Sequence, residues 1–190
     1  MNMNSKIMIQ ALSESAEPHE LSTKTQSIPS VDPQLFRQGM SNLAAAVHVI
    51  TTDGEAGQAG FTASAVCSVS DAPPTLLVCL NRSASVFETF KHNQVLCVNT
   101  LTSKQKHLSN LFGGKTPMSE RFAQGIWSNL ETLAPVLQDA LVSFDCQIVQ
   151  SMSVGSHDVL ICEVKAIQHN SDQDALLYFN RAYCELIATQ

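Results

Sequence analysis

The sequence predicts a mainly β protein with short helices inserted between its strands, its antiparallel sheet closed into a small barrel. Three observations carry that expectation. Runs rich in β-branched and apolar residues recur at 47–52, 60–69, 75–80, 95–101, 141–149, 158–164 and 175–179. Turn residues and brief helical stretches separate them, without the regular crossover helices of a parallel sheet. Closing an antiparallel sheet removes its exposed edges, which favours a barrel over an open sheet.

Composition narrows the classes of function. The 190 residues suffice for one domain with a real core, and 44% hydrophobic with 15% charged residues is a globular balance. The net charge is −6 and no Lys/Arg block occurs, which argues against a duplex nucleic-acid partner. No apolar run approaches the roughly 18 residues of a membrane span. The N-terminus lacks the charged-then-apolar pattern of a secretory signal, so the expected location is cytoplasmic. Cys67, Cys79, Cys97, Cys146, Cys162 and Cys184 form no C-x-x-C pair, and most sit in apolar, strand-like runs. They read as buried free thiols, with no metal site and no disulfide framework.

Residues 1–33 contain no aromatic side chain and no sustained periodicity, and are read as a mobile N-terminal extension to a domain at 34–190. A helix is expected after Asp32-Pro33, with Asp32 as N-cap and Pro33 at its first position. It carries Leu35, Phe36, Met40 and Leu43 at helical spacing and ends near 44–46. Val47, Val49 and Thr51 then alternate with His48, Ile50 and Thr52 as a strand, turned by Asp53-Gly54. Small and β-branched residues at 60–69 make the next, broken at 71–74. The nearly continuous apolar run 75–80 implies a strand buried on both faces. A short helix is expected at 83–92, with Ser83 or Ser85 near its start, and a strand at 95–101. Leu108, Leu111 and Phe112 mark a helix at 104–112, stopped by Gly113-Gly114, with one further turn at 119–122. Strands at 141–149 and 158–164 are joined by a turn-like 152–156, and a last strand at 175–179 ends at Asn180-Arg181.

Several motifs resolve into ordinary structure. Gly54, Gly57 and Gly60 have G-x-x-G-x-x-G spacing, without the opening that brings a dinucleotide onto the backbone. Gly114-Lys115-Thr116 follows a helix, and Ser109 stands where a P-loop needs its first glycine. Neither G-x-S-x-G nor H-E-x-x-H occurs. Three segments remain. Thr62, Ser64, Ser68 and Ser70 recur beside Gly60, Ala63 and Ala65, and small side chains let a flat ligand reach backbone N–H groups; a plain packed strand has the same composition. Asn81-Arg82-Ser83-Ala84-Ser85 after an apolar strand reads as a phosphate cradle or as ordinary helix capping. His157 at a strand start, and Tyr178, Phe179 and Tyr183 around Arg181, fit either a ring-binding or a structural role. His48, His92, His107 and His169 read as structural or solvated.

In this order the segments carry a resemblance. The run from Ala44 to Asp53, then Gly60 to Asn81, with Ser85, Leu96-Cys97-Val98-Asn99, Gly155-Ser156-His157 and 178–183, resembles the flavin reductase family with its FMN-binding split barrel. The likeness covers about 36–186. Ser109 to Met118 and Leu141 to Cys146 are most similar to the branch serving pyrimidine degradation, with the reductase component of 4-hydroxyphenylacetate 3-monooxygenase as a related branch.

The resemblance implies a homodimer, FMN near its interface, NADH as hydride donor, and delivery of reduced flavin to a separate flavin-dependent monooxygenase; FAD is a possible substitute for FMN. It implies that Thr62, Ala63, Ser64 and Ala65 face the isoalloxazine, and that Thr51 and Asn81 bond to the flavin. By the same resemblance Ser85 holds the phosphate end, Asn99 adds a polar contact, and Phe112 and Gly113 reach the partner subunit's flavin. His157 is expected to contact the nicotinamide with Tyr183 nearby, aligning the rings rather than moving a proton. A split-barrel flavin binder without reductase activity is the first alternative. An oxidase of a phosphorylated vitamin is the second, and it calls for more basic residues than Arg82, Arg121 and Arg181 supply.

Overall fold

The computed structural model describes residues 28–170 and 174–186. The expected mobile extension at 1–33 therefore lies almost wholly outside the described residues; the compact unit begins at Pro33. Helix α1 (Pro33–Met40) starts at that proline, which fits the first helical turn because its missing N–H has no partner to lose. It ends sooner than expected, and Ala45–Ala46 form strand β1.

Strands β2 (His48–Thr52), β3 (Ala59–Ala63), β4 (Val66–Asp71) and β5 (Pro74–Asn81) follow. After helix α2 (Phe87–Asn93) come β6 (Val95–Thr100), a 3-10 turn at Ser103–Gln105, and helices α3 (Lys106–Gly113) and α4 (Met118–Phe122). The chain continues through β7 (Trp127–Ser128), β8 (Val136–Leu137), β9 (Val142–Val154), β10 (His157–His169), β11 (Leu176–Phe179) and β12 (Ala182–Glu185). Seven strands pair in the order β3-β2-β6-β9-β10-β5-β4, every ladder antiparallel. The edge strands β3 and β4 are consecutive in the chain, and only Ser64 and Ala65 separate them. Three Cα–Cα steps span at most about 11 Å, so the sheet must curl until its edges meet at that end. The result is a barrel split between β3 and β4.

Both faces of β2 are covered. Ile50 points into the barrel core with Val78, Leu80, Phe90, Leu96 and Val98, whereas Val47, just before the strand, and Val49 pack outside against Leu101, Leu108, Phe112 and Leu137. The alternation of the sequence thus separates two apolar layers, not an inside from a wet outside. In β5 the reverse holds: Leu76, Val78 and Leu80 are buried, but Leu77 and Cys79 are only half-buried, so the expected burial on both faces is incomplete.

Two boundaries shift for local reasons. Helix α2 begins at Phe87, not Ser83, because the Asn81 carboxamide oxygen accepts from both Ser83 N and Ser83 Oγ at 2.8 Å and holds a turn there. The chain also goes on past Asn180-Arg181. Both residues take positive φ, 48° and 60°, the geometry of a tight hairpin turn, and β12 pairs back onto β11.

Candidate functional site

The split between β3 and β4 opens on a cleft of about 410 Å³. Thr62, Ala63, Ser64, Ala65, Asn81, Ser85, Phe112, Gly113 and His157 all line it. Its floor depends on one glycine. A Cβ on Gly60 would lie 2.7 Å from Phe112 Cε1, so only glycine lets that ring rest against β3. Phe112 in turn meets Phe122 and Trp127 edge-on, with ring centroids 5.2 and 5.8 Å away. The Thr62 hydroxyl donates to Ser109 O at 2.7 Å and ties β3 to α3. Ser64 and Ala65 lie outside both ladders, which leaves their N–H groups without ladder partners at the cleft wall.

The opposite wall is the turn between β9 and β10. His157 stands across from Asn81 in the β10–β5 ladder, and its Nδ1 shares a hydrogen bond of 2.9 Å with Ser156 Oγ. Arg82 grips that turn: its backbone N–H donates to Ser156 O at 3.0 Å and its Nη2 to Gly155 O. Its Nε lies 3.9 Å from Asp158, which also accepts from Ser151 and Ser153. The segment read from sequence as a phosphate cradle is thus divided. Asn81 and Ser85 face the cleft, Arg82 is spent on the His157 turn, and Ser85 precedes the helix as part of a turn.

Three expected site residues do not line this cleft. Thr51 and Asn99 are fully buried, and their polar groups are consumed inside the protein. Asn99 Nδ2 donates to Val49 O and Thr51 Oγ1, while its Oδ1 accepts from Leu137 N at 2.8 Å and Ser143 Oγ at 2.9 Å. Thr51 Oγ1 donates to Pro135 O at 2.5 Å. Together they pin the 135–137 strap onto the barrel. Tyr183 hydrogen-bonds Ser109 Oγ and Asn110 Oδ1, with Lys106 Nζ 5.2 Å above its ring, so it braces α3 from outside.

Arg121 was not singled out as a site residue by the sequence, where it is one charge in a short helical turn. Only 6% exposed, it lines the cleft and donates Nε to Thr116 O, Nη1 to Gly60 O and Phe112 O, and Nη2 to Gly114 O. Away from the cleft wall just described, His48 is buried against Thr100 Oγ1 at 3.0 Å, and burial lowers its pKa to about 4. All six cysteines are free; Cys97, Cys146 and Cys162 are buried, and burial pushes their thiols up, Cys162 to about 12. Among the described residues no helix is long and apolar enough to cross a membrane.

Solved flavin reductases share this split antiparallel barrel, which places the chain in their class. A candidate flavin reductase from Haemophilus somnus superposes with a TM-score of 0.80 at 51% identity, over 82% of this chain and 100% of that one. The flavin reductase PheA2 gives 0.75 at 34% identity, over 83% and 100%. The chain belongs to the flavin reductase like domain family, which it matches over residues 40–186. The FMN reductase (NADH) RutF of Acinetobacter baylyi is 74% identical over 160 residues, 84% of this chain and 85% of the relative. That of Escherichia coli O157:H7 is 59% identical over 157 residues, 83% and 96% of the two chains.

Proposed function

We propose that this chain reduces FMN with NADH and hands the reduced flavin to a separate flavin-dependent monooxygenase, the one that opens the pyrimidine ring in uracil and thymine degradation. The observation that carries the reading is the convergence on one cleft of seven residues assigned by resemblance to this chain's flavin or nicotinamide, joined there by Phe112 and Gly113, which the resemblance assigns to the partner subunit's flavin, in a chain 74% identical to an FMN reductase (NADH).

The cleft suits the group. Its volume of about 410 Å³ lies within the range of small-molecule sites, and its backbone is open to a ligand because Ala63, Ala65 and Gly113 carry little or no side chain. Bound flavin supplies N5, which takes a hydride from C4 of the nicotinamide, so that NADH, FMN and one proton give NAD+ and FMNH2. The chain's task is alignment. The amides of Ser64 and Ala65 donate to the ring edge, Asn81 and Ser85 hold the polar tail, and His157 seats the nicotinamide from the facing wall. Thr51 and Asn99 contribute by fixing the strap behind β2 and β6, and Tyr183 by bracing α3. Exposed Leu35, Phe36 and Met40 on α1, with Val149, Met152 and Val154 on the β9 arm, support assembly as a homodimer.

Steady-state kinetics across FMN, FAD and riboflavin, each with NADH and NADPH, test the substrate assignment. FMN with NADH is expected to give the highest kcat/KM; a clear preference for FAD or NADPH overturns it. Adding the pyrimidine oxygenase under air should then yield ring-opened product only when the reductase is present.

A further inference from the structure

We infer that the Arg121 guanidinium is the fixed counter-charge of the cleft, and that it makes the site select for negatively charged flavin. The inference rests on the flavin reading above and concerns which charge state of that ligand the site prefers.

A guanidinium carries five N–H donors and stays protonated in proteins. Four of those of Arg121 are used, all on backbone carbonyls: Thr116, Gly60, Phe112 and Gly114. One Nη2 hydrogen remains. Carbonyl dipoles satisfy the donors and anchor the group, but they bring no net negative charge. None of the ion pairs among the described residues includes Arg121, whereas Arg82 has Asp158 and the exposed Lys91 and Lys165 have Glu88 and Glu163. A cation with no carboxylate partner keeps its field for an anion brought into the cleft it lines. The open side of Arg121 is the cleft itself.

The anchoring has a second consequence. Because the guanidinium bonds carbonyls of β3 and of the α3 end at once, it cannot swing out to meet bulk ions. The cation is therefore held in place before any ligand arrives, and no reorganisation is needed when one does. Two parts of a flavin carry the matching charge: the phosphate of FMN, and the ring of the reduced form once N1 has lost its proton. Both are anions presented inside the same cleft.

Dissociation constants from flavin fluorescence and absorbance, measured anaerobically, separate these sources. Riboflavin and FMN are titrated oxidised and again after reduction with dithionite, on the unaltered protein, on Arg121→Lys and on Arg121→Gln. If the phosphate is the partner, FMN binds at least tenfold tighter than riboflavin in both redox states. If the reduced ring is, either flavin binds at least tenfold tighter when reduced. Arg121→Lys should keep most of the preference, because the charge survives, while Arg121→Gln should lose it with the affinity for oxidised riboflavin, the uncharged ligand, within about threefold of the original. Equal weakening of every ligand in Arg121→Gln would make the residue merely architectural and overturn the inference. So would an unaltered protein that ignores ligand charge, a result that needs no folded variant. A protein that binds no flavin in any form would instead remove the reductase reading and this inference with it.

Discussion

His157 and Asn81 face each other as partners in the antiparallel β10–β5 ladder, and both line the cleft. Asn81 also organises the turn before α2, so the two walls of the cleft are joined at this pair. His157→Ala is therefore expected to raise KM for NADH at least tenfold while FMN affinity changes less than threefold. Stopped-flow reduction and FMN titration on the same preparation check it. Unchanged NADH kinetics would take His157 out of the site.

Gly60 meets Phe112 too closely for any Cβ, at 2.7 Å from its Cε1. Gly60→Ala must push a ring that is 1% exposed into Phe122 and Trp127. Overpacking of this kind costs about 1–3 kcal/mol. Thermal denaturation should show a lower Tm, and FMN binding should weaken because the displaced ring also lines the cleft.

Asn99 offers a contrast between a structural and a ligand-binding role. Removing its amide in Asn99→Ala strands Leu137 N and Ser143 Oγ in the interior. Leaving buried donors unpaired costs about 1–3 kcal/mol each, so denaturant unfolding should show a large loss of stability. At temperatures where the variant is folded, its FMN affinity should stay within threefold.

His48 makes stability fall in mild acid. Its pKa is about 4 when folded against an ordinary value of 6.5, so between those values the unfolded chain binds the extra proton. Stability is complete above pH 6.5 and is lost as pH falls toward 4, by on the order of 3 kcal/mol at about 1.4 kcal/mol per unit. Urea denaturation across this range should show the decline, and His48→Gln should flatten it.

Much of this architecture is readable in the residues. β-branched runs locate the long strands, Pro33 marks the start of α1, and Gly113-Gly114 marks the end of α3. Small residues at 60–65 point to the cleft wall because backbone access requires them. What sequence hides is set by tertiary contacts. The turn at Asn180-Arg181 gives no hairpin signal, since an arginine stands where glycine is usual, so β12 goes unseen. Thr51 and Asn99 have the polar chemistry of ligand contacts, yet the strap at 135–137 reaches them first. Arg121 gives no cue because all four of its acceptors are backbone carbonyls, which any sequence supplies: Phe112, Gly114 and Thr116 in the stretch before it and Gly60 on β3.

The function proposed for the cleft between β3, β5 and the His157 turn is hydride transfer from NADH to flavin. NADH oxidation followed at the nicotinamide absorbance, with purified protein and increasing FMN, tests it most directly. The expected rate needs both protein and FMN, saturates with each, and falls at least tenfold in His157→Ala at low NADH. An oxidation rate no faster with protein than without it, at any FMN concentration, would contradict it.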